Sequence, residues 1–359
     1  MSLPIIPHAQ ITPVWMTQVL QGAGVAATVT ALSCQKVGTG QVGESMRFTL
    51  TYAGDPAGAP ATVVGKFPSP DPESRGTGIA LGNYIREVNF YRQLAAGALI
   101  TLPKVFHTDV DPATSDFVLI MEDLSPANQG DQLLGVSLEQ AGLAMDEAAK
   151  LHASHWGDAS MDQLPWLQES AAAPQITDPG FMTALWEGFQ ARYGARIRPD
   201  CIEIGNAVTA HFARYRAGTG SPKCLVHNDY RPDNMMFGTA QGGYPLAVVD
   251  WQSVAYGCCM ADVSYFLAGA LNPAERRAHE RDLLTRYHRK LTSLGVRDYS
   301  FDQLWRDYAH YSFSLFVMAF AASMIVGRTE RGDAMFFAML ESGAAQVTDL
   351  AAVALLTEG

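Results

Sequence analysis

The hydrophobic pattern of the chain changes once, near residue 137. Before this point, short alternating or β-branched segments predict strands, and after it apolar residues recur mostly at helical spacing. This order predicts an α+β protein with a small antiparallel β-sheet unit followed by a larger, mainly helical one. The predicted strands are 28–36, 45–52, 61–67, 105–108 and 117–121, with one predicted helix at 82–96.

A capping box formed by Ser137 and Gln140 marks the start of the first helix in the second part, which we expect to end near residue 155. The segment 224–253 is the exception to the helical pattern, because short apolar strands at 225–226 and 246–249 flank polar loops. The remaining predicted helices are 181–193, 201–216, 261–271, 273–294, 301–326 and 333–356.

Composition limits the possible partners and the compartment. The 359 residues carry a net charge of −11, which argues against a general nucleic-acid-binding protein. The N-terminus has no pattern of a secretory signal, and the apolar run 311–326 is shorter than the ~20 residues that span a bilayer. The five cysteines are odd in number and have no repeated spacing. We therefore expect a cytoplasmic protein with reduced cysteines and no membrane partner.

The densest group of polar residues runs from His227 to Asn234 and includes Asp229 and Arg231. Asp250 follows at the end of the next apolar strand. Acid and amide oxygens presented on a tight loop and at a strand end are ligands that Mg²⁺ prefers. A further carboxylate that does not bind the metal could orient an attacking hydroxyl. The alternative interpretation is a polar surface turn with unrelated acids.

The spacing H-x-D-x-x-x-x-N, followed by an Asp at a strand end, resembles the catalytic and metal-binding loops of protein-kinase-like enzymes. More closely, it resembles the aminoglycoside phosphotransferase and choline kinase branch, and within it the ecdysteroid-kinase-like group. Asp250-Trp251-Gln252 stands where protein kinases have Asp-Phe-Gly. The resemblance implies a two-lobed protein-kinase-like fold, with lobes at 1–124 and 125–359, that uses ATP and Mg²⁺.

Carried over by position, the resemblance makes Asp229 the catalytic base that orients the acceptor hydroxyl. Asn234 and Asp250 become the Mg²⁺ ligands, and Arg231 would stabilise charge on the transferred phosphoryl group. Asn228 departs from the family pattern, which often has Gly there, but Asn tolerates unusual backbone angles. Asp262 would hold the catalytic loop from behind, although an acid at a helix start also has a purely local explanation.

The first part of the chain offers residues for the nucleotide. Lys66 on the third strand and Glu87 on the following helix match the kinase pair that binds the α- and β-phosphates, although each could be an ordinary surface residue. The turn with Gly38, Gly40 and Gly43 joins two strands, which favours a phosphate-covering hairpin or a plain loop over a dinucleotide fold. The resemblance also implies nucleotide contacts from the segment that joins the lobes, at Met121, Glu122 and Leu124.

The leading hypothesis is therefore a small-molecule kinase whose acceptor is a hydroxyl compound. The aromatic residues of the second part would suit a hydrophobic alcohol or only a core, and the acids there would suit a cation. A protein kinase is the rival enzyme, and a non-catalytic nucleotide-binding protein of the same fold is the rival from another class. His152 and His155 share a helix face, but packing near the catalytic loop explains them better than a metal site. The sequence does not predict the oligomeric state.

Overall fold

The computed structural model describes residues 3–38, 42–56, 58–168 and 178–357. Its first part contains three helices and five strands that form one antiparallel sheet in the order β1-β2-β3-β5-β4. The elements are α1 (Pro13–Gly22), β1 (Val29–Val37), β2 (Gly43–Tyr52), β3 (Thr62–Pro68), α2 (Pro72–Ala80), α3 (Asn83–Asn89), β4 (Val105–Val110) and β5 (Phe117–Glu122).

Each face of this sheet is covered by a different helix. Trp15 and Met16 of α1 are buried with Phe48 and Phe67 against one face. Helix α3 covers the other face, where Tyr84 is stacked on Phe117 with ring centroids 4.8 Å apart. Because both faces are covered, β5 is buried along almost its whole length, whereas residues of β3 alternate in burial.

All five predicted strands are present, but the helices of this part were predicted incompletely. Helices α1 and α2 were missed, although Thr12 and Asp71 accept N-cap hydrogen bonds and a proline follows each cap. The predicted helix 82–96 is the α-helix α3 followed by a π-helical turn, Phe90–Leu94.

The second part is mainly helical, as predicted, and also contains two small sheets. The pair β7/β10 and the three-stranded sheet β6-β8-β9 are both antiparallel. The elements are β6 (Asn128–Gln129), α4 (Leu138–Ser154), α5 (Pro179–Tyr193), α6 (Pro199–Ala210), α7 (Phe212–Ala217), β7 (Cys224–Val226), β8 (Met235–Thr239), β9 (Gly242–Val248), β10 (Ala255–Gly257), α8 (Met260–Ala270), α9 (Pro273–Ser293), α10 (Phe301–His310), α11 (Phe313–Ile325), α12 (Glu330–Asp349) and α13 (Val353–Thr357).

The capping box of α4 is confirmed, with both the Ser137 and the Gln140 side chains bonded to backbone N–H groups. Three long predicted helices are each divided in two, at His211, at Tyr311–Ser312 and near Ala351. At Ala351 the cause is local, because its φ of 48° is left-handed and incompatible with a continuous helix.

The segment Phe301–Ile325 is the single candidate membrane span in the described part of the chain, by length and composition only. It consists of two helices, α10 and α11, each shorter than the ~20 residues that a span requires. Phe313, Phe316 and Phe320 of α11 are fully buried in a core with α5 and α12, so α11 is a core helix. All five cysteines are free, and Cys34 alone is exposed.

Candidate active site

The polar cluster of the sequence forms a tight loop between β7 and β8. Both carboxylate oxygens of the buried Asp262 accept backbone hydrogen bonds of 2.7 Å, one from the N–H of His227 and one from that of Asn228. Asn228 has a left-handed φ of 61°, which asparagine adopts more easily than most residues. The loop is therefore held from behind by Asp262, as expected.

Within the loop, Asp229, Arg231 and Asn234 contact one another. The Asn234 amide nitrogen donates to the backbone oxygen of Asp229 and to its carboxylate oxygen Oδ2, each at 2.9 Å. The Arg231 guanidinium lies 3.2 Å from Oδ1 of Asp229. The Tyr265 hydroxyl of α8 donates to the same oxygen at 3.4 Å. The Asp229 carboxylate is thus oriented by three neighbours and is about one-fifth exposed, which leaves it open to a ligand.

The loop is joined directly to the strand end that precedes Asp250. The Val249 N–H donates to the Asn234 carbonyl at 2.9 Å, and the Val249 carbonyl is 3.0 Å from the His227 ring nitrogen Nε2. Asp250 follows with a left-handed φ of 68°. Such backbone angles at non-glycine residues are concentrated at functional sites. The structure therefore brings Asn234 and Asp250 to adjacent positions.

Lys66 of β3 connects the two parts of the chain. Its ammonium nitrogen lies 2.7 Å from Oδ1 of Asp250 and 2.7 Å from Oε2 of Glu87 on α3. Trp251, which follows Asp250, is fully buried and is stacked on Phe90 with ring centroids 4.0 Å apart. The stacking holds the turn after α3 against the segment that carries Asp250.

The pKa values of this group follow from burial and close charges. Burial alone would lower the pKa of Lys66, but the carboxylates of Asp250 and Glu87 outweigh it and raise that pKa. Burial raises the pKa of Glu87 above its usual value despite the opposing charge of Lys66. For Asp250, burial is outweighed by the positive charge of Lys66, so its pKa is lowered. Lys66 and Asp250 therefore form a charged pair at neutral pH.

Gly43 at the start of β2 lies close to Lys66, because a Cβ on this glycine would be 3.6 Å from Cε of Lys66. Gly38 has a φ of 73°, and a Cβ on Gly43 would lie 3.1 Å from the Phe67 carbonyl, whereas Gly40 lies outside the described residues. Met121 is buried at the end of β5 and Glu122 is half-buried.

The segment after β5 has its own contacts. The Glu122 carboxylate accepts from the Lys104 N–H at 3.1 Å, and the Leu124 carbonyl accepts from the Ala127 N–H at 2.8 Å. The buried Asp123 forms a two-bond pair with Arg47 of β2, at 2.6 and 3.0 Å. This pair was not predicted from the sequence, because nothing in the spacing of the two residues indicates it.

A family model named the phosphotransferase enzyme family matches residues 63–299 of the chain, which include Lys66 and the whole loop from His227 to Asp250. The chain belongs to the phosphotransferase enzyme family. Among curated proteins, no relative matches the sequence.

Solved structures show the same fold as this phosphotransferase-family protein at low sequence identity. A Ralstonia eutropha protein assigned to the aminoglycoside phosphotransferases is 16% identical, with a TM-score of 0.56, covering 94% of this chain and 97% of its own. A choline/ethanolamine kinase family protein from Mesorhizobium loti is 15% identical, with a TM-score of 0.50 and coverages of 94% and 97%. An ethanolamine kinase from Plasmodium vivax is 11% identical, with a TM-score of 0.51 and coverages of 93% and 86%. The predicted two-lobed, kinase-like α+β fold is therefore confirmed.

The donor atoms of this phosphotransferase-family site fit a Mg²⁺ ion. Asp250 offers carboxylate oxygens, and the Asn234 amide leaves its oxygen available because its nitrogen bonds to Asp229. Within the described residues, no three His, Cys, Asp or Glu side chains converge as metal ligands. A Mg²⁺ ion bound by Asn234 and Asp250 would thus complete its shell with phosphate oxygens and water, as is usual for this ion.

His152 of α4 and His155, which directly follows that helix, have separate surroundings. His152 is fully buried between the Tyr287 hydroxyl, at 2.7 Å, and the Asp262 carboxylate, at 3.2 Å. His155 lies 3.4 Å from Asp158. Packing behind the loop from His227 to Asn234, as expected, accounts for His152.

Two contributors to the site were missed by the sequence analysis. Tyr265 contacts Asp229, and the side-chain oxygen of the buried Gln132 accepts from Arg231 at 3.3 Å. Both come from segments far from the loop in sequence, and neither belongs to a motif. Only the position of Tyr265 three residues after Asp262 could have suggested that it lies near the loop.

Proposed function

We propose that this protein transfers the γ-phosphoryl group of ATP, bound with Mg²⁺, to a hydroxyl of a small molecule. The observation that supports this most strongly is the contact of Lys66 with both Glu87 and Asp250, beside the loop of Asp229 and Asn234. The family and the fold support phosphoryl transfer in general. The use of ATP, of Mg²⁺ and of a hydroxyl acceptor is our proposal beyond phosphoryl transfer in general.

In this proposal Lys66 binds the α- and β-phosphates, and Glu87 fixes its ammonium group. Asn234 and Asp250 hold Mg²⁺, which neutralises phosphate charge when it is bound. Gly38, Gly40 and Gly43 cover the phosphates through backbone N–H groups. Met121 contacts the base, with Glu122 and Leu124 offering main-chain groups to its edge.

Asp229 is the proposed catalytic base. It accepts the proton of the acceptor hydroxyl while the new bond forms between that oxygen and the γ-phosphorus, and the bond to the β,γ-bridging oxygen breaks to release ADP. Asn234 and Tyr265 keep the carboxylate oriented. Arg231 stabilises charge on the transferred group, because a guanidinium binds phosphoryl oxygens through two parallel hydrogen bonds.

Two substitutions distinguish the proposed roles of Asp250 and Asp229. We expect Asp250→Ala to abolish the Mg²⁺-dependent rise in melting temperature that ATP produces in the wild type. Asp229→Asn is expected to keep that rise and to lose turnover by about 10²-fold or more, since it removes the base but not the proposed metal ligand. Asp282→Asn, an exposed residue of α9, is the matched control and should change neither quantity. Thermal shift and ADP release against a panel of hydroxyl compounds are the two measurements.

The same measurements decide between the alternatives. A non-catalytic nucleotide-binding protein would show the thermal shift without ADP release from any acceptor. A protein kinase would phosphorylate protein substrates, although only the short 3₁₀ turn Trp251–Ser253 and β10 lie between Asp250 and α8. If no nucleotide raises the melting temperature of the wild type with Mg²⁺, the proposal is wrong.

A further inference from the structure

Gln132 is a buried residue of the turn after β6, next to the loop that carries Asp229. Its backbone N–H donates to the Asp233 carboxylate at 3.1 Å. Its side-chain oxygen Oε1 accepts from Nη1 of Arg231 at 3.3 Å. Gln132 therefore contacts the loop through both its backbone and its side chain.

The amide nitrogen of Gln132 is buried and has no hydrogen-bond partner among the described residues. It lies against α8, where a Cβ on Gly269 would be 2.7 Å from it. A buried N–H group without a partner costs free energy and therefore calls for an explanation. The reverse orientation of the amide would direct this nitrogen at Arg231, so that two donors would meet. The amide is thus oriented to accept from Arg231, and its own nitrogen is left without a partner.

The Arg231 guanidinium is held through two of its three nitrogens. Nε lies 3.2 Å from Oδ1 of Asp229. Nη1, which bonds to Gln132, also lies 3.5 Å from the Asp233 carboxylate and 3.5 Å from the Met335 sulfur. Nη2 has no hydrogen-bond partner in the part of the chain that the structure describes. It is the nitrogen that remains available to a ligand beside Asp229.

We propose that Gln132 is a positioning residue for phosphoryl transfer, which holds Nη1 of Arg231 so that Nη2 points to the transferred group. This role rests on the proposed function. Gln132 suits it as a neutral acceptor, because it fixes the guanidinium without cancelling its positive charge, as a further carboxylate would. A charge that is already fixed stabilises a transition state more than a mobile one, since it needs no reorganisation.

A mimic of the transferred group tests this without the acceptor. The probe is ADP with Mg²⁺, titrated into the full chain by calorimetry with and without aluminium fluoride, which supplies a planar anion in place of the phosphoryl group. The ratio of the two ADP affinities is called the fluoride gain below. We expect Gln132→Met to reduce the fluoride gain by at least about fivefold and to leave ADP affinity without fluoride nearly unchanged. Arg231→Met should reduce the gain at least as far, and adding Gln132→Met to it should have no further effect.

The melting temperature distinguishes positioning from a purely structural role. Methionine is an unbranched, flexible residue like glutamine, so Gln132→Met removes the hydrogen bond to Arg231 together with the unpartnered nitrogen. The two effects oppose each other, and we expect a melting temperature within about 3 °C of the wild type. A lower melting temperature with an unchanged fluoride gain would assign Gln132 to the fold and overturn the inference. Gln18→Met, an exposed residue of α1, is the matched control and should change neither quantity.

A second variant displaces the Gln132 amide without replacing Gln132 or Arg231. In Gly269→Ala the new Cβ would lie 2.7 Å from the amide nitrogen, which is at the far end of a flexible side chain and can move. We expect the fluoride gain to decrease in this variant as well. If Gln132→Met does not fold, the fluoride gain of Gly269→Ala is decisive.

Failure of this inference differs from failure of the proposed function. An unchanged fluoride gain in Gln132→Met with normal ADP binding overturns the inference and leaves the proposed kinase intact. A wild type that binds ADP but shows no fluoride gain also overturns the inference, because Arg231 then does not act on a mimic of the phosphoryl group. A wild type that does not bind ADP with Mg²⁺ contradicts the proposed function, and the inference falls with it.

Discussion

The surroundings of two histidines outside the site disfavour their protonation. His107 on β4 packs edge-on against Trp15, with ring centroids 5.8 Å apart. Burial lowers its pKa below 6.5, although Asp109 opposes this effect. The buried His310 is 2.9 Å from the Tyr215 carbonyl, and burial lowers its pKa as well, against the same kind of opposition from Asp307.

These directions predict a pH dependence of stability. Near and below pH 6.5 the unfolded chain binds protons at these two residues that the folded chain does not bind, so the free energy of unfolding falls as the pH decreases. Well above pH 6.5 these histidines are neutral in both states, and this contribution no longer changes. Urea unfolding from pH 8 to pH 5.5 should show a smaller decrease for His107→Gln and for His310→Gln than for the wild type. Identical slopes in all three proteins would contradict the prediction.

Residues of the candidate site could be predicted from the sequence where a motif fixes the spacing between them. Asp229, Asn234 and Asp250 could be grouped because one short loop and one strand end carry them. Gln132 and Tyr265 could not be predicted, because their contacts depend on how a distant loop and a helix pack. Lys66 and Glu87 are intermediate, since the sequence suggests them as candidates for a pair but only the packing of α3 against the sheet brings them to 2.7 Å.

The close approach of β6 to the loop from His227 to Asn234 depends on a glycine. Gly130 follows β6, and its N–H donates to the Met235 carbonyl at 2.9 Å. A Cβ at this position would lie 2.4 Å from the backbone oxygen of Pro232. No side chain can be accommodated there unless one of the two backbone segments moves.

We therefore expect Gly130→Ala to displace the loop that carries Asp229 and Asn234. Turnover should decrease by about tenfold or more, since a misplacement of about 1 Å can cost 10²-fold in rate. Gly76→Ala is the control, because the new Cβ meets no atom within 4 Å and alanine is the better helix former. Its expected effect is unchanged turnover and an increase in stability of about 0.5–1 kcal/mol. Equal turnover in Gly130→Ala and the wild type would show that the loop adapts.

The boundaries of some helices could not be predicted from the apolar pattern of the sequence alone. The strands and the long helices were predicted because burial on one face imposes a period on the sequence. Helix α2 has no apolar repeat, so only its cap indicated it, whereas Trp15, Met16, Val19 and Leu20 of α1 recur at helical spacing and were overlooked. The breaks at His211 and Tyr311–Ser312 interrupt apolar patterns that continue across them, so the apolar period does not indicate them.

For the whole molecule, the pair Arg47–Asp123 joins the sheet to the segment between the two parts. The Asp123 side chain is 4% exposed, and burial would raise its pKa, but hydrogen bonds from Arg47, the Ser125 N–H and Thr62 outweigh burial, so that pKa is lowered. We expect Asp123→Asn to decrease the free energy of unfolding at pH 7 by about 1–3 kcal/mol. Asp200→Asn, which breaks the exposed pair with Arg198, should decrease it by about 0–1 kcal/mol.

Ionic strength distinguishes the two variants further. The loss in Asp123→Asn should depend less on salt than the loss in Asp200→Asn, because the side chains of Arg47 and Asp123 are 31% and 4% exposed, whereas those of Arg198 and Asp200 are 51% and 41% exposed. Below about pH 4, where the unfolded carboxyl becomes protonated, the stabilisation by Asp123 should decline as the pH falls toward its lowered pKa. A loss in Asp123→Asn as small as that in Asp200→Asn would mean that Arg47 does not connect the two parts energetically.

The position of Cys34 makes the wild-type chain suitable for single-site labelling. It is on β1, at the edge of the small sheet, and the other four thiols are buried. Burial and the nearby Glu44 raise its pKa, so a maleimide dye should react best at mildly alkaline pH. Native protein should take up one dye quickly, and denatured protein should take up five. A fluorophore there would report movement of the β-sheet part relative to the helices in real time, without an engineered cysteine.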